Sequence, residues 1–298
     1  MARVTKVDSK SYYNTLPPLG HECGDIWRNL PSFGMLGETP CAGIVITPAC
    51  DLSWQKSDTL TYLPIVPIRT FFSMEAALPA VIERVCANLQ TIGYELRPEW
   101  SAQTYVPPSG EELTSLQTGL EQYRSAQQRP AKVLAAIDRT VAGIEILHAI
   151  THSELNPIAS EKLSVHFGAE WAKIKDRLIR NSYSPALHFL PHDGQNAVFS
   201  GVREHSVVLF RYPITVPVKM LNYAEETSDS AWADRVESLN LSSTMKNAFF
   251  SARPVKMLSL KAAFLSDLLT RFSALYNRIG SPDFTKETVD LYSSQVDI

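Results

Sequence analysis

"GIVITPACDLSW", residues 43–54, sets an apolar β-branched run, Ile44-Val45-Ile46, directly against Thr47, Pro48, Cys50 and Asp51. Such a run reads as a buried strand, and the proline behind it ends ladder pairing. A thiol and a carboxylate then stand side by side where the strand leaves the core. A nucleophilic reading needs a histidine or helix N-terminus to lower the Cys50 pKa, and the adjacent carboxylate acts the other way. The turn reading needs less. Asp51 accepts backbone N–H groups after the strand, and Cys50 packs as a small apolar residue. Cys50 and Asp51 are therefore taken as turn-makers, with a reactive pair as the alternative.

The flanking segments have the same character. "GDIWRNLP" (24–31) and "TLTYLPIVPI" (59–68) are short β-branched or aromatic runs, punctuated by Gly34, Gly37, Pro40 and Pro48. From Ser73, read as a helix cap, the period changes: Ala77, Val81, Ile82, Val85, Cys86 and Leu89 fall at helical spacing. Three more helical patterns follow, at roughly 110–127, 130–152 and 157–181. β-type sequence returns in "ALHFLP", "AVFSGV" and "HSVVLFRYPITVPVKML". The acidic segment 223–238 reads as a loop or short helix. An amphipathic helix from about Ser259 to Arg278 closes on Gly280 and Pro282.

Strands, a long helical block, strands and a helix make an α+β class. One economical arrangement is a small β-barrel built from both β blocks, residues 1–72 and 184–222. A helical insertion, 73–183, interrupts it, and a C-terminal helical segment, 223–298, follows.

A chain of 298 residues can bury an ample core, and 45% hydrophobic with 20% charged residues is ordinary for a soluble globular protein. The net charge of −3 does not steer the whole molecule toward nucleic acid, so such a role needs a local basic patch. Four cysteines are too few for a disulfide scaffold in a chain this long. No apolar run spans a bilayer, and the polar start "MARVTKVDSKSYYN" lacks a signal peptide's apolar stretch. A cytoplasmic protein with no membrane partner is expected. The sequence has no Gly-rich phosphate loop, no G-x-S-x-G elbow and no H-E-x-x-H, which disfavours nucleotide hydrolysis, α/β-hydrolase chemistry and zincin proteolysis. No cofactor is expected.

Two constellations suit a metal. "EILHAITH" places Glu145, His148 and His152 on one helical face, the geometry of helix-borne metal sites, with His188, His192 and Asp193 as further ligands if the fold brings them near. The simpler reading is a helix ending in histidines that complement its terminal carbonyls. His21, Cys23, Cys41 and Cys50 form no recognised zinc spacing. The best basic patch is "WAKIKDRLIR", with Lys173, Lys175, Arg177 and Arg180, joined by Arg203, Arg211 and Lys219. Such residues hold phosphates, and Trp171 or Tyr183 offers a ring for stacking. A solvated helix face is the plainer explanation.

Taken in order, "GDIWRNLP", "AGIVITPA", "YLPIVPIRT" (62–70) and "SVVLFRYPITVPVKML" (206–221) resemble the strand motifs of PemK/MazF-type toxins. Asp25, Thr47, Pro48, Pro67, Ile68 and Thr70 match that pattern, which covers about a quarter of the chain. The resemblance implies a small SH3-like barrel, a homodimer, and metal-independent cleavage of single-stranded RNA in a bacterial toxin–antitoxin or phage-defence system. RNA or a partner protein of the same system is the implied partner. In that reading Thr70 orients or protonates, Arg69 stabilises the phosphorane charge and Asp25 holds the local backbone.

The sequence departs from the pattern in three ways. The helical block interrupts the barrel, Cys41 stands where the toxins carry a basic residue, and the Pro-Ile-Thr-Thr position reads Pro67-Ile68-Arg69-Thr70. Arg69 is the substitute cation, but in a continuing strand it points away from Thr70. Loss of the arginine favours a non-catalytic binding or regulatory module on the same barrel. A metal hydrolase on Glu145, His148 and His152 is the third reading. End to end, the chain is also similar to uncharacterised bacterial proteins with a Gly-Asp-Ile start, a Cys-Asp strand end and a late "RIGSP", a likeness that implies no activity.

Overall fold

A computed structural model describes residues 9–277 other than 18, 38, 55, 95–99, 101–104, 127 and 153–154, together with 285, 286 and 288. The strands are β1 (Tyr13–Asn14), β2 (Asp25–Leu30), β3 (Cys41–Val45), β4 (Thr59–Pro67), β5 (Leu187–Leu190), β6 (Ser206–Leu209), β7 (Ile214–Pro217) and β8 (Val255–Leu260). Short helices α1 (Ser9–Tyr12), α2 (Ala49–Ser53) and α3 (Ile68–Phe71) precede the helical block. That block holds α4 (Leu78–Ile92), α5 (Gly110–Ser125), α6 (Ala131–Thr151), α7 (Ser160–Phe167) and α8 (Glu170–Ile179). After β7 come α9 (Val218–Glu226), α10 (Trp232–Ser238), α11 (Ser243–Phe250) and, beyond β8, α12 (Ala262–Tyr276).

All pairings of these strands are antiparallel, in the order β1-β8-β2-β3-β4-β6-β5, with β7 also on β4. The α+β class stands, but the sheet is open: no pairing joins β5 to β1 among the described residues. This corrects the expected SH3-like barrel. β8 and β1 extend the β2 edge while the β5–β6 hairpin extends the other, and helices cover the faces, so closure is not needed to bury them.

β4 is the centre of the sheet. Its Thr61 carbonyl accepts from Ile46 N–H at 2.9 Å, and the carbonyl of the preceding Asp58 accepts from Val218 N–H at 3.0 Å. Odd residues therefore turn their backbone groups to β3, and even residues turn theirs to β7 and β6. β7 pairs with Thr59 to Tyr62 and β6 with Ile65 to Pro67. Pro64, which has no N–H, faces the gap between them.

The alternation along β4 sorts two cores. Leu63 and Ile65 join Ile26, Ile44 and Val208 on the face covered by α12 through Leu268, Phe272 and Leu275. On the opposite face, Leu60 and Tyr62 pack with Met220, Leu221, Trp232 and Phe249 of the helices after β7. Val66, Val207 and Leu209 instead meet the helical block.

Several local readings change. The expected helix over 157–181 is two helices, broken at Gly168, whose φ of 57° suits glycine. "AVFSGV" is a turn-rich loop, in which Asn196 Oδ1 accepts from Val198 and Phe199 N–H. The helix read as starting near Ser259 starts at Ala262, and "VKMLSL" before it is β8, so the C-terminal segment is not wholly helical. Arg278, Gly280 and Pro282 lie outside the described residues. Ser73 caps no helix; its Oγ donates to the Thr70 carbonyl at 2.8 Å.

Inside the helical block α4 runs along α6, and Gly143 sets their approach. A Cβ there would come within 2.6 Å of both Val85 and His166. His166 is fully buried, its Nδ1 lies 3.0 Å from the Arg139 carbonyl, and burial pushes its pKa down to about 4, so it is neutral. Gly143→Ala should lower unfolding free energy by about 1–3 kcal/mol in urea melts. Gly110→Ala, where a Cβ meets nothing within 4 Å, serves as the unaffected control. Equal stability of the two variants would refute this packing.

Candidate functional site: a groove at the end of β4

Where β4 ends at Pro67 the chain turns directly into α3, so Arg69 and Thr70 sit on a helical turn and not on a strand. The alternation objection to their acting together falls away. The turn is tied down: the Thr70 carbonyl accepts from Ser73 N–H and Oγ, and the Arg69 carbonyl accepts from Ile158 N–H. Thr70 is buried to 9% exposure and lines a cavity of about 400 Å³.

The same cavity is lined by Arg28 and Asn29 of β2, by Thr39 to Ala42 entering β3, and by Gly201 to Glu204. Arg28 and Asn29 reach it through a bulge. Trp27 pairs with Gly43 but Leu30 with Cys41, and Asn29 takes φ 60° between them. A bulge of this kind re-aims a side chain. Asn29 is among the residues that tolerate the left-handed region, and its Nδ2 donates to the Arg253 carbonyl at 2.9 Å. Arg28 Nη1 donates to the carbonyls of Ala197, Val198 and Ser200. Its guanidinium is thus used to hold the β5–β6 loop.

That loop is rigid for a second reason. Asp193, 4% exposed, accepts hydrogen bonds from Ser200 Oγ and from the N–H groups of Gln195, Gly201 and Val202 at 2.7–3.0 Å. The loop presents Arg203 as an exposed cation with no ion pair among the described residues. Arg69, by contrast, is engaged with Glu204 at 2.9 Å.

Asp25 is elsewhere. It lies at the far end of β2, level with Val45 and Tyr62, whereas Thr70 lies beyond Pro67. Five residues of strand separate those levels, about 16 Å. The expected trio of Arg69, Thr70 and Asp25 is therefore not one site. Asp25 is fully buried; its Oδ2 accepts from Glu22 N–H at 2.9 Å and lies 3.7 Å from Lys256 Nζ. Lys256 also pairs with Glu225 at 3.0 Å and sits over the Trp27 ring. Asp25 Oδ1 has no hydrogen-bond partner among the described residues.

Two of the four cations of the expected basic helix are neutralised in place. Lys173 pairs with Glu170 at 2.9 Å and Arg180 with Asp176 at 2.8 Å. Arg177 donates to the carbonyls of Ser182 and Tyr183. Lys175, exposed beside the Trp171 ring, has no ion pair among the described residues. Trp171 is a buried core residue against Phe72 and Phe167, so it is no open stacking platform.

The metal reading finds no support in the placement. Glu145 pairs with Lys162 at 2.7 Å, His152 Nδ1 lies 2.7 Å from the His148 carbonyl, and His188 is buried against α12. No group of three or more His, Cys, Asp or Glu is placed to hold a metal ion among the described residues. Cys50 is exposed on α2 and does not pack inward. Its Sγ lies 3.6 Å from Asp51 Oδ1, and the Asp51 carbonyl, rather than its carboxylate, accepts from the Lys56 backbone N–H. The turn is made by Pro48 leading into the helix, where Asp51 complements the N-terminus. No helix of the described residues is long and apolar enough to cross a membrane.

Burial raises the Asp25 pKa from 3.8 to about 6, against the opposing pull of the Glu22 amide and Lys256. Between those values the folded protein keeps a proton that the unfolded chain has released, so stability falls as pH rises through that window. Asp25→Asn removes this fall. From pH 4 to 7 the stability of the native chain should drop by about 2–3 kcal/mol relative to the variant in urea melts; a constant difference would show that Asp25 is not destabilised in its charged form. With this geometry established, comparison of the chain with protein-family models, curated proteins and solved structures finds no match.

Proposed function

We propose that the chain is a PemK/MazF-like protein of a bacterial toxin–antitoxin or phage-defence system that binds single-stranded RNA in the groove at the end of β4. The observation that carries this reading is the unpaired Arg203, held on a braced loop in the same groove as Thr70. A guanidinium carried on a braced backbone suits a phosphate, which it can contact through two N–H groups at once. Binding fits this groove better than cleavage. Arg69, the substitute for the toxins' arginine, is paired with Glu204, and Asp25 stands about 16 Å away along the strand. The chain then acts as a binding component, with RNA or a protein of the same system as its partner.

One observation favours a ribonuclease as the second reading. Thr70 shares its cavity with two arginines, Arg28 and Arg203. In that case the 2′-hydroxyl attacks the adjacent phosphate without a metal, Thr70 assists proton transfer, and a guanidinium stabilises the phosphorane.

Fluorescence anisotropy with a labelled single-stranded RNA tests the first reading. Arg203→Ala should weaken binding about 10-fold and reduce the slope of log K against log salt by about 0.7. In parallel, RNA incubated with protein and chelator is expected to show no new 5′ ends. Cuts that disappear in Thr70→Ala would replace binding with catalysis. Neither binding nor cuts, from folded protein, would sink the RNA reading.

A further inference from the structure

Arg69 and Glu204 also line a second cavity, of about 390 Å³, within the range of about 300–1,000 Å³ usual for small-molecule sites. Its floor is apolar. Ile68, Trp171, Ile179 and Phe189 supply it, and both aromatic side chains are anchored in the protein at 8% exposure.

Its rim is a set of N–H donors. Lys175 and Arg203 line it, and neither has an ion pair among the described residues. His192 and His205 line it as well, and the backbone fixes their tautomers. Gly194 N–H donates to His192 Nδ1 at 3.1 Å, and His192 N–H donates to His205 Nδ1 at 3.1 Å. A ring nitrogen that accepts carries no proton, so each ring bears its proton on Nε2 and is a donor there. Burial, and then the neighbouring His192, lower the His205 pKa, which favours the neutral ring. The one carboxylate in the lining, Glu204, is held by Arg69.

Four donor side chains over an apolar aromatic floor ask for a ligand with two parts: an oxyanion with several acceptor oxygens, and a flat apolar ring. A metal ion is the opposite chemistry, since the rim donates. A carboxylate has two oxygens for a rim that offers four donor groups, whereas a phosphate monoester has three. We propose that this cavity is a binding site for a nucleoside monophosphate, its base laid on the apolar floor where Ile68 and Ile179 are most open and its phosphate among Lys175, Arg203 and the two imidazoles. This free-ligand site does not depend on the RNA reading, because the Thr70 groove is a separate cavity that shares only Arg203 and Glu204 with it.

Isothermal titration of the full chain with AMP, GMP, CMP and UMP tests the proposal, with inorganic phosphate and adenosine as separate probes. At least one monophosphate should bind with a Kd of about 100 μM or tighter, and phosphate and adenosine each at least about 10-fold more weakly. Lys175→Ala should weaken that binding about 10-fold. Ile179→Glu, which sets a carboxylate on the exposed part of the apolar floor, should abolish it. Both positions are exposed, so unchanged circular-dichroism melts are expected and keep the comparison valid. No heat with any nucleotide at millimolar concentration overturns the proposal, as does binding undiminished in both variants. Phosphate binding as tight as nucleotide binding leaves an anion site only and overturns it too. RNA binding without mononucleotide binding makes the cavity part of a polymer track, which also overturns it.

Discussion

β4 has to serve both neighbouring edges with two prolines among its nine residues. The rest of the sheet follows from how that is done. Pro67 has its missing N–H on the β3 side, beyond Ala42, the last residue of β3 paired with β4; Pro64 has its own on the opposite side, where β7 has ended and β6 has begun. Residues 206–217 are in effect one run antiparallel to β4, interrupted at that point. From Val208 to Ile214 the chain advances six residues while β4 advances three, from Ile65 to Tyr62. The surplus loops out, carrying Phe210 into the α12 core, where its ring meets Phe272 and its carbonyl accepts from Tyr276. A missing donor in one strand thus anchors the C-terminal helix.

The same strand end positions the groove. Because β4 stops at Pro67 and turns at once into α3, Thr70 is fixed by backbone hydrogen bonds at the sheet's edge. The β5–β6 loop is brought over it by β6 pairing with Ile65 to Pro67. Two charged residues then do structural work. Arg28 gathers three carbonyls of the loop and Asp193 gathers four donor groups, so Arg203 is displayed from a framework rather than from a flexible tip.

What the sequence made legible is what local pattern can carry. β2, β3 and β4 are β-branched runs bounded by glycine and proline, and α4, α5 and α6 repeat apolar residues at helical spacing, so both were readable within a few residues. β8 was not. "VKMLSL" has no strict alternation, and its strand state depends on β2, more than two hundred residues away, where Lys256 meets Trp27. Strand order has the same origin: the pairing of Tyr13 with Leu260 that opens the sheet leaves no mark in either segment. In the site, Arg69 and Thr70 could be placed from the Pro-Ile-Arg-Thr strand end. Arg28 could not, because its direction is set by a bulge whose only local sign is Asn29. Asp25 was grouped with them by motif order, and motif order does not give the distance between the two ends of a strand.

A chain of net charge −3 acquires a cationic surface here by arrangement, not by excess. Lys173 and Arg180 are cancelled by acids one helical turn away, and Glu204, the acid nearest Arg203 in sequence, is drawn off by Arg69. That pair is half-exposed on both sides, so it contributes little to stability. Its consequence is electrostatic: with Glu204 neutralised, Arg203 and Lys175 face their cavities without a competing carboxylate. Glu204 lines both cavities, and the pair engages the guanidinium that a cleavage reaction would require. In the proposed reading, binding and catalysis therefore differ by one exchange. A phosphate that only meets Arg203 is held, whereas one that also takes Arg69 from Glu204 gains a further cation and frees a carboxylate next to it. Because the Arg69–Glu204 attraction is weak in water and screened by salt, its loss costs little, and the geometry of the incoming phosphate decides which outcome follows.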